Sequence, residues 1–140
     1  DTAPALLEGV DIVLDATDSL KARLDIDRAT YAARLPWVMG AAVGTSGQWA
    51  AFDETRREGC YHCLMRGRDS VENRGCAELG ILGPVVGIVA LHQTVLVIRY
   101  LLGATLPSGY LHMLDAWTGE THQFGLAVCE DCELCQARST

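Results

Sequence analysis

Six cysteines stand in this 140-residue chain, and four of them form two C-x-x-C pairs, Cys60-Tyr-His-Cys63 and Cys132-Glu-Leu-Cys135. Each pair can chelate a metal from one tight turn, so the two together offer the four thiolates of a closed tetrahedral zinc site. A closed site has no open position for substrate, and its expected role is structural: zinc would pin the C-terminal tail to the middle of the chain and constrain a long loop. Cys129-Glu-Asp-Cys132 is also a C-x-x-C, so spacing alone leaves open which two tail thiols bind. Cys132 and Cys135 are preferred, because Cys129 directly follows an apolar strand and would be held in its geometry. His62, between two ligands, is expected to point outward. The competing reading is of inert thiols or a redox pair.

Two further groups invite chemistry. Asp15 and Asp18 lie at the carboxyl end of an apolar run, Gly9-Val-Asp-Ile-Val-Leu-Asp-Ala16. In an open α/β sheet ligands bind beyond the carboxyl ends of strands, and Mg²⁺ takes one or two carboxylates together with nucleotide phosphates, which makes Asp18 a metal-nucleotide candidate. Its plain alternative is a helix N-cap, and position alone leaves both open. Cys76 stands apart, with Arg74 two residues before it and a long helix beginning soon after. A nearby cation and a helix N-terminus favour thiolate, so Cys76 is a candidate nucleophile; as an inert small side chain it would fit equally well.

The elements that must position these residues follow from pattern. The run ending at Ala16 suits a buried strand of a parallel sheet. A helix capped by Asp18 or Ser19 follows, with Leu20, Leu24, Tyr31 and Leu35 as its apolar stripe, and Pro36 ends it. Trp37–Val43 and Gln48–Phe52 read as strands around a glycine turn, so strand, helix, strand forms the crossover unit of an α/β fold. Arg66 to Arg74 reads as an exposed, mobile loop. Pro84 and Gly103 bound an apolar helix over 84–102, read as a buried central element despite its near-bilayer length, because His92, Gln93, Thr94 and Arg99 interrupt it. Gly87 and Ala90 would let another element, including a second subunit, approach it closely. Gly109–Asp115 and Thr121–Val128 form a hairpin.

Composition limits the classes of function. Eighteen acidic against eleven basic residues leave a net charge of −7, and 49% of residues are hydrophobic. That is enough for one folded domain, while the acidic balance argues against nucleic acid or a membrane surface as partner. Paired cysteines without a signal-like segment fit a reducing cytoplasm. The chain opens on Asp1 and is expected to start inside a longer protein. Neither G-x-G-x-x-G nor a P-loop occurs, so no phosphate-cradling loop is present.

Val13-Leu-Asp-Ala-Thr-Asp18, Ala42-Val-Gly-Thr-Ser-Gly-Gln48, Gly59-Cys-Tyr-His-Cys63, Cys76-Ala-Glu-Leu-Gly-Ile-Leu-Gly-Pro-Val-Val-Gly87 and the terminal Cys-x-x-Cys occur in this order. Together they resemble the C-terminal part of MoeB/ThiF/HesA-type adenylyltransferases, bacterial relatives of ubiquitin-activating enzymes, over nearly the whole chain. The resemblance implies a Rossmann-like α/β fold with a mixed sheet, crossover helices and a structural four-cysteine zinc site, of which residues 1–140 form the C-terminal portion of a single domain. It implies ATP- and Mg²⁺-dependent adenylation of the C-terminal glycine of a ubiquitin-like sulfur carrier of the ThiS or MoaD type, in thiamine or molybdopterin cofactor biosynthesis. By the same resemblance Asp18 is the Mg²⁺-associated aspartate and Cys60, Cys63, Cys132 and Cys135 are the zinc ligands. Cys76 falls on the cysteine that ThiF-like members link to the carrier. A homodimer is implied, with a sulfurtransferase or cysteine desulfurase as further partner. Ser19 and Asp27 replace asparagines frequent in the family. The glycine-rich ATP loop would lie upstream of residue 1, so the fragment alone is expected to be inactive. The rival readings are a non-catalytic, zinc-stabilised carrier-binding scaffold and a thiol redox protein.

Overall fold

The computed structural model describes residues 3–66 and 80–136. Cys76, and the expected loop beyond Arg66, lie outside them. A short helix α1 (Ala3–Leu6) leads into strand β1 (Val13–Leu14), helix α2 (Leu20–Ala33), and strands β2 (Trp37–Val43) and β3 (Ser46–Phe52). Helix α3 (Tyr61–Met65), the long helix α4 (Gly83–Leu101), the hairpin β4 (Tyr110–Asp115) and β5 (Thr121–Gly125), and helix α5 (Glu133–Gln136) complete the described chain. The five strands form one mixed sheet in the order β1-β2-β3-β4-β5. Only β1 and β2 pair in parallel, joined by α2 as the expected crossover; the other neighbours are antiparallel.

Alternation along the strands divides the core between the two faces of the sheet. Trp37, Met39, Ala50, Phe52 and Leu111 pack with Tyr61 and Met65 on the face covered by α2 and α3, with Trp37 and Phe52 stacked at 4.9 Å between ring centroids. Val38 and Ala51 with Leu106, and Trp49 with Val85 and Val89, face α4.

Three expectations need correction. β1 spans two residues, and Leu14 is 45% exposed, so among the described residues this strand is shorter and less covered than the expected buried run. The fully buried residues of α2 are Arg23, Asp27 and Thr30; Leu20 and Leu24 of the expected stripe are only partly buried, and Leu35 lies past the helix. Polar groups occupy that buried face because partners from other elements satisfy each of them. Helix α4 is long and apolar enough to span a membrane by length and composition, yet it packs on β2 and β3 through Val85, Val89 and Gln93. Among the described residues it is not a buried central helix: Val86, Leu91, Val95 and Ile98 are all about half exposed or more, an apolar face that no described element covers. Its ends match expectation, with Pro84 in the first turn and Gly103, at φ +89°, just beyond the cap.

Candidate functional site

At the carboxyl end of β1 the chain turns sharply into α2, and the two carboxylates of that turn have different fates. Asp15 is buried. Its Oδ1 accepts from the Thr17 amide at 2.8 Å and its Oδ2 from Arg23 Nε at 3.2 Å. Arg23, itself buried, also donates through Nη2 to the carbonyls of Thr17 (2.7 Å) and Gly40 (3.3 Å). Asp15 is therefore committed to an internal ion pair. Asp18, by contrast, is exposed. The N-cap of α2 is Ser19, whose Oγ accepts from the Ala22 amide at 3.1 Å, so Asp18 is not needed as the cap. One carboxylate of the turn, Asp18, is thus exposed at the carboxyl edge of the parallel pair. Thr17 Oγ1 beside it is buried with no partner among the described residues, a polar atom suited to a polar guest. A single carboxylate fits Mg²⁺ that draws its remaining ligands from water and phosphate oxygens.

A second cluster forms where α3 meets the tail. Cys60 caps α3 and Cys63 lies within it, Cys132 directly precedes α5 and Cys135 lies within it, and the four sulfurs lie within 4.8 Å of one another. Sγ–Sγ separations are 3.6 Å for Cys60–Cys63, 3.5 Å for Cys60–Cys132 and 3.7 Å for Cys63–Cys135. A tetrahedron with zinc–sulfur bonds of about 2.3 Å has edges of about 3.8 Å, so these separations are compatible with a bound zinc and far longer than a disulfide. Burial pushes the Cys60 thiol up, aided by the Asp27 charge, and pushes Cys135 up to about 12. At Cys132 burial acts upward too, but hydrogen bonds led by the Cys135 amide outweigh it and the net direction is down. Four crowded thiols resist joint ionisation, and a bound dication would reverse that balance. Cys129 stands outside the four: its amide donates to Cys63 Sγ at 3.3 Å, while its own thiol turns to the Cys63 carbonyl. The Arg66–Asp131 ion pair ties the tail down beside it.

Beneath this cluster lies an ionic network that spacing does not reveal. Asp27, 0% exposed, accepts from Trp37 Nε1 (3.2 Å) and Arg56 Nε (3.4 Å) at Oδ1, and from the His62 amide (3.2 Å) at Oδ2, which also contacts His62 Nδ1 at 2.8 Å. His62 consequently turns inward instead of outward. Arg56 is equally buried and also donates to Thr30 Oγ1, the Asp53 carbonyl and the Leu35 carbonyl. Burial drags the Arg56 pKa down, and the Asp27 charge opposes it. The one hint in the sequence was Asp27 lying in line with the apolar positions of α2. Its partners lie 10 to 35 residues away in the chain, beyond helical periodicity.

The ThiF family pattern matches residues 1–134. The chain is 33% identical over 137 residues to the Escherichia coli sulfur carrier protein ThiS adenylyltransferase, covering 96% of this chain and 54% of that protein. It is 34% identical over 134 residues to the E. coli molybdopterin-synthase adenylyltransferase, with 94% and 53% covered. The chain therefore spans about half the length of these curated relatives. Among solved structures, E. coli MccB superposes with a TM-score of 0.73 at 15% identity, over 99% of this chain and 43% of that one, a likeness of fold. By its sequence over nearly its whole length, this chain belongs to the ThiF family.

Proposed function

We propose that this chain is the C-terminal portion of an adenylyltransferase domain that uses ATP and Mg²⁺ to activate the C-terminal carboxylate of a ubiquitin-like sulfur carrier in the cytoplasm. The observation that carries the reading is the pairing at the end of β1: Arg23 engages Asp15, Ser19 caps the helix, and Asp18 is left exposed at the edge where a nucleotide would lie. The activity named for the two E. coli adenylyltransferases supports the same reaction here. Bound Mg²⁺ would spread the charge that develops on the phosphates as the carboxylate attacks. Within the chain, Asp18 would hold the cation, and Cys60, Cys63, Cys132 and Cys135 would hold a structural zinc that fixes the tail against α3. Cys76 is the candidate thiol for sulfur transfer, with a sulfurtransferase or cysteine desulfurase as donor. The uncovered apolar face of α4 is where we place the second subunit of a homodimer.

The test is ATP–pyrophosphate exchange on the full-length protein carrying this chain, driven by a carrier ending in Gly-Gly. Exchange that falls by about 10²-fold or more in Asp18→Asn supports the assignment. No exchange in the intact wild-type protein would leave a zinc-stabilised carrier-binding scaffold in its place. Cys76→Ser retaining exchange but losing sulfur transfer assigns that thiol.

A further inference from the structure

The buried face of α4 is Val85, Val89 and one polar residue, Gln93, which is 4% exposed. An amide on an otherwise apolar contact face is costly unless both its position and its partners are provided. Here both are. Gln93 Nε2 donates to the Asp15 carbonyl at 2.7 Å and to the Val38 carbonyl at 3.2 Å, bridging the carboxyl end of β1 to β2. Space for it is made by Gly40: a Cβ there would fall 2.5 Å from Gln93 Cδ and Oε1. The Asp15 carbonyl lies at the start of the turn that ends in Asp18.

Arg23 holds the same turn from the opposite side, through the Asp15 carboxylate and the Thr17 carbonyl. Asp15 is thus bound through every polar group it has, since its amide also donates to the Val38 carbonyl at 2.9 Å. Restraint from two helices narrows the positions open to the last residue of the turn, Asp18, and Mg²⁺ tolerates little departure from its preferred geometry.

We propose that Gln93 is a positioning residue for the metal carboxylate: it sets the Asp15–Asp18 turn from α4, although it is not itself at the nucleotide edge. This rests on the reading of Asp18 as the metal-nucleotide residue. Removing its amide leaves the Asp15 carbonyl buried without the Gln93 donor, and the turn is then held by α2 and by the Asp15 amide bond to β2, with nothing from α4. Partners bonded directly to a metal ligand govern affinity by about 10- to 100-fold, and Gln93, acting one step removed through the Asp15 carbonyl, is expected at the low end.

The experiment compares Gln93→Met, of similar length with no donor, and Gly40→Ala, which displaces the amide without deleting it, with Val89→Ala as a packing control on the same helix face. In the full-length protein, Mn²⁺ binding in the presence of ATP is read by electron paramagnetic resonance, and exchange of the Thr17 amide hydrogen by NMR or mass spectrometry. Expected are an Mn²⁺ Kd raised about tenfold in both Gln93→Met and Gly40→Ala, faster Thr17 exchange in both, and neither change in Val89→Ala. Values in Gln93→Met within about twofold of wild type overturn the proposal, as do equal shifts in Val89→Ala, which would reduce Gln93 to packing. Wild-type protein that binds no Mn²⁺–ATP sinks the Asp18 reading and this inference with it. Normal wild-type binding with an unchanged Gln93→Met overturns the inference alone.

Discussion

Asp27→Asn isolates the electrostatic part of the buried network, because it changes a charge and one acceptor while keeping the shape. Both oxygens of Asp27 accept from donors: Trp37 Nε1 and Arg56 Nε at Oδ1, and the His62 amide at Oδ2. Whichever way an asparagine amide is turned, its NH2 faces an N–H, so at least one good hydrogen bond becomes a repulsion. Arg56, with 0% side-chain exposure, also loses its buried countercharge. Complete removal of one partner of a buried ion pair costs about 3–5 kcal/mol. Asparagine still accepts one bond, and Arg56 keeps the Thr30, Asp53 and Leu35 acceptors, so the expected loss is at the low end, about 3 kcal/mol. That would be a large fraction of an ordinary domain's stability. Urea unfolding in zinc-containing buffer, followed by tryptophan fluorescence, measures it as a lower midpoint at unchanged slope. Combining Asp27→Asn with Arg56→Met should be less damaging than the sum of the two, because the second change removes the charge the first left unpaired. A single Asp27→Asn within about 0.5 kcal/mol of wild type, or strict additivity, would refute the reasoning.

Two other perturbations have definite signs. Chelation should release about one zinc per chain and free the tail from α3, with Cys135→Ser losing the metal and Cys129→Ser keeping it; the reverse pattern would exchange their roles. Asp53 gives a pH signature: burial pushes its pKa up, but bonds from Thr55, Ser108 and the Thr55 and Arg56 amides outweigh this, holding it below 3.8. Its contribution is therefore present above that value and lost as pH falls below it through the lowered pKa, so Asp53→Asn should flatten the acid limb of the stability profile. An acid limb identical to wild type would contradict it.

Sequence spacing carried what is local. The two C-x-x-C pairs, the strand–helix–strand unit, the glycine-linked strands β2 and β3, the β4–β5 hairpin and the ends of α4 were legible because each depends on residues a few positions apart. Among the described residues Cys132 and Cys135 are the tail thiols that lie with Cys60 and Cys63. What stayed hidden depends on chemistry between distant segments. The polar buried face of α2 looks unfavourable in isolation, and only Trp37, Arg56 and His62, brought in by the fold, make it tenable. Asp15 and Asp18 look alike in the sequence; they differ because the fold gives Arg23 to one and leaves the other at the edge of the sheet. Periodicity likewise says that α4 is apolar, not which side is covered. Only the close approach at Gly40 and Gly47 selects Val85, Val89 and Gln93 as the buried face, because an absent side chain has meaning only against the neighbour that fills its place.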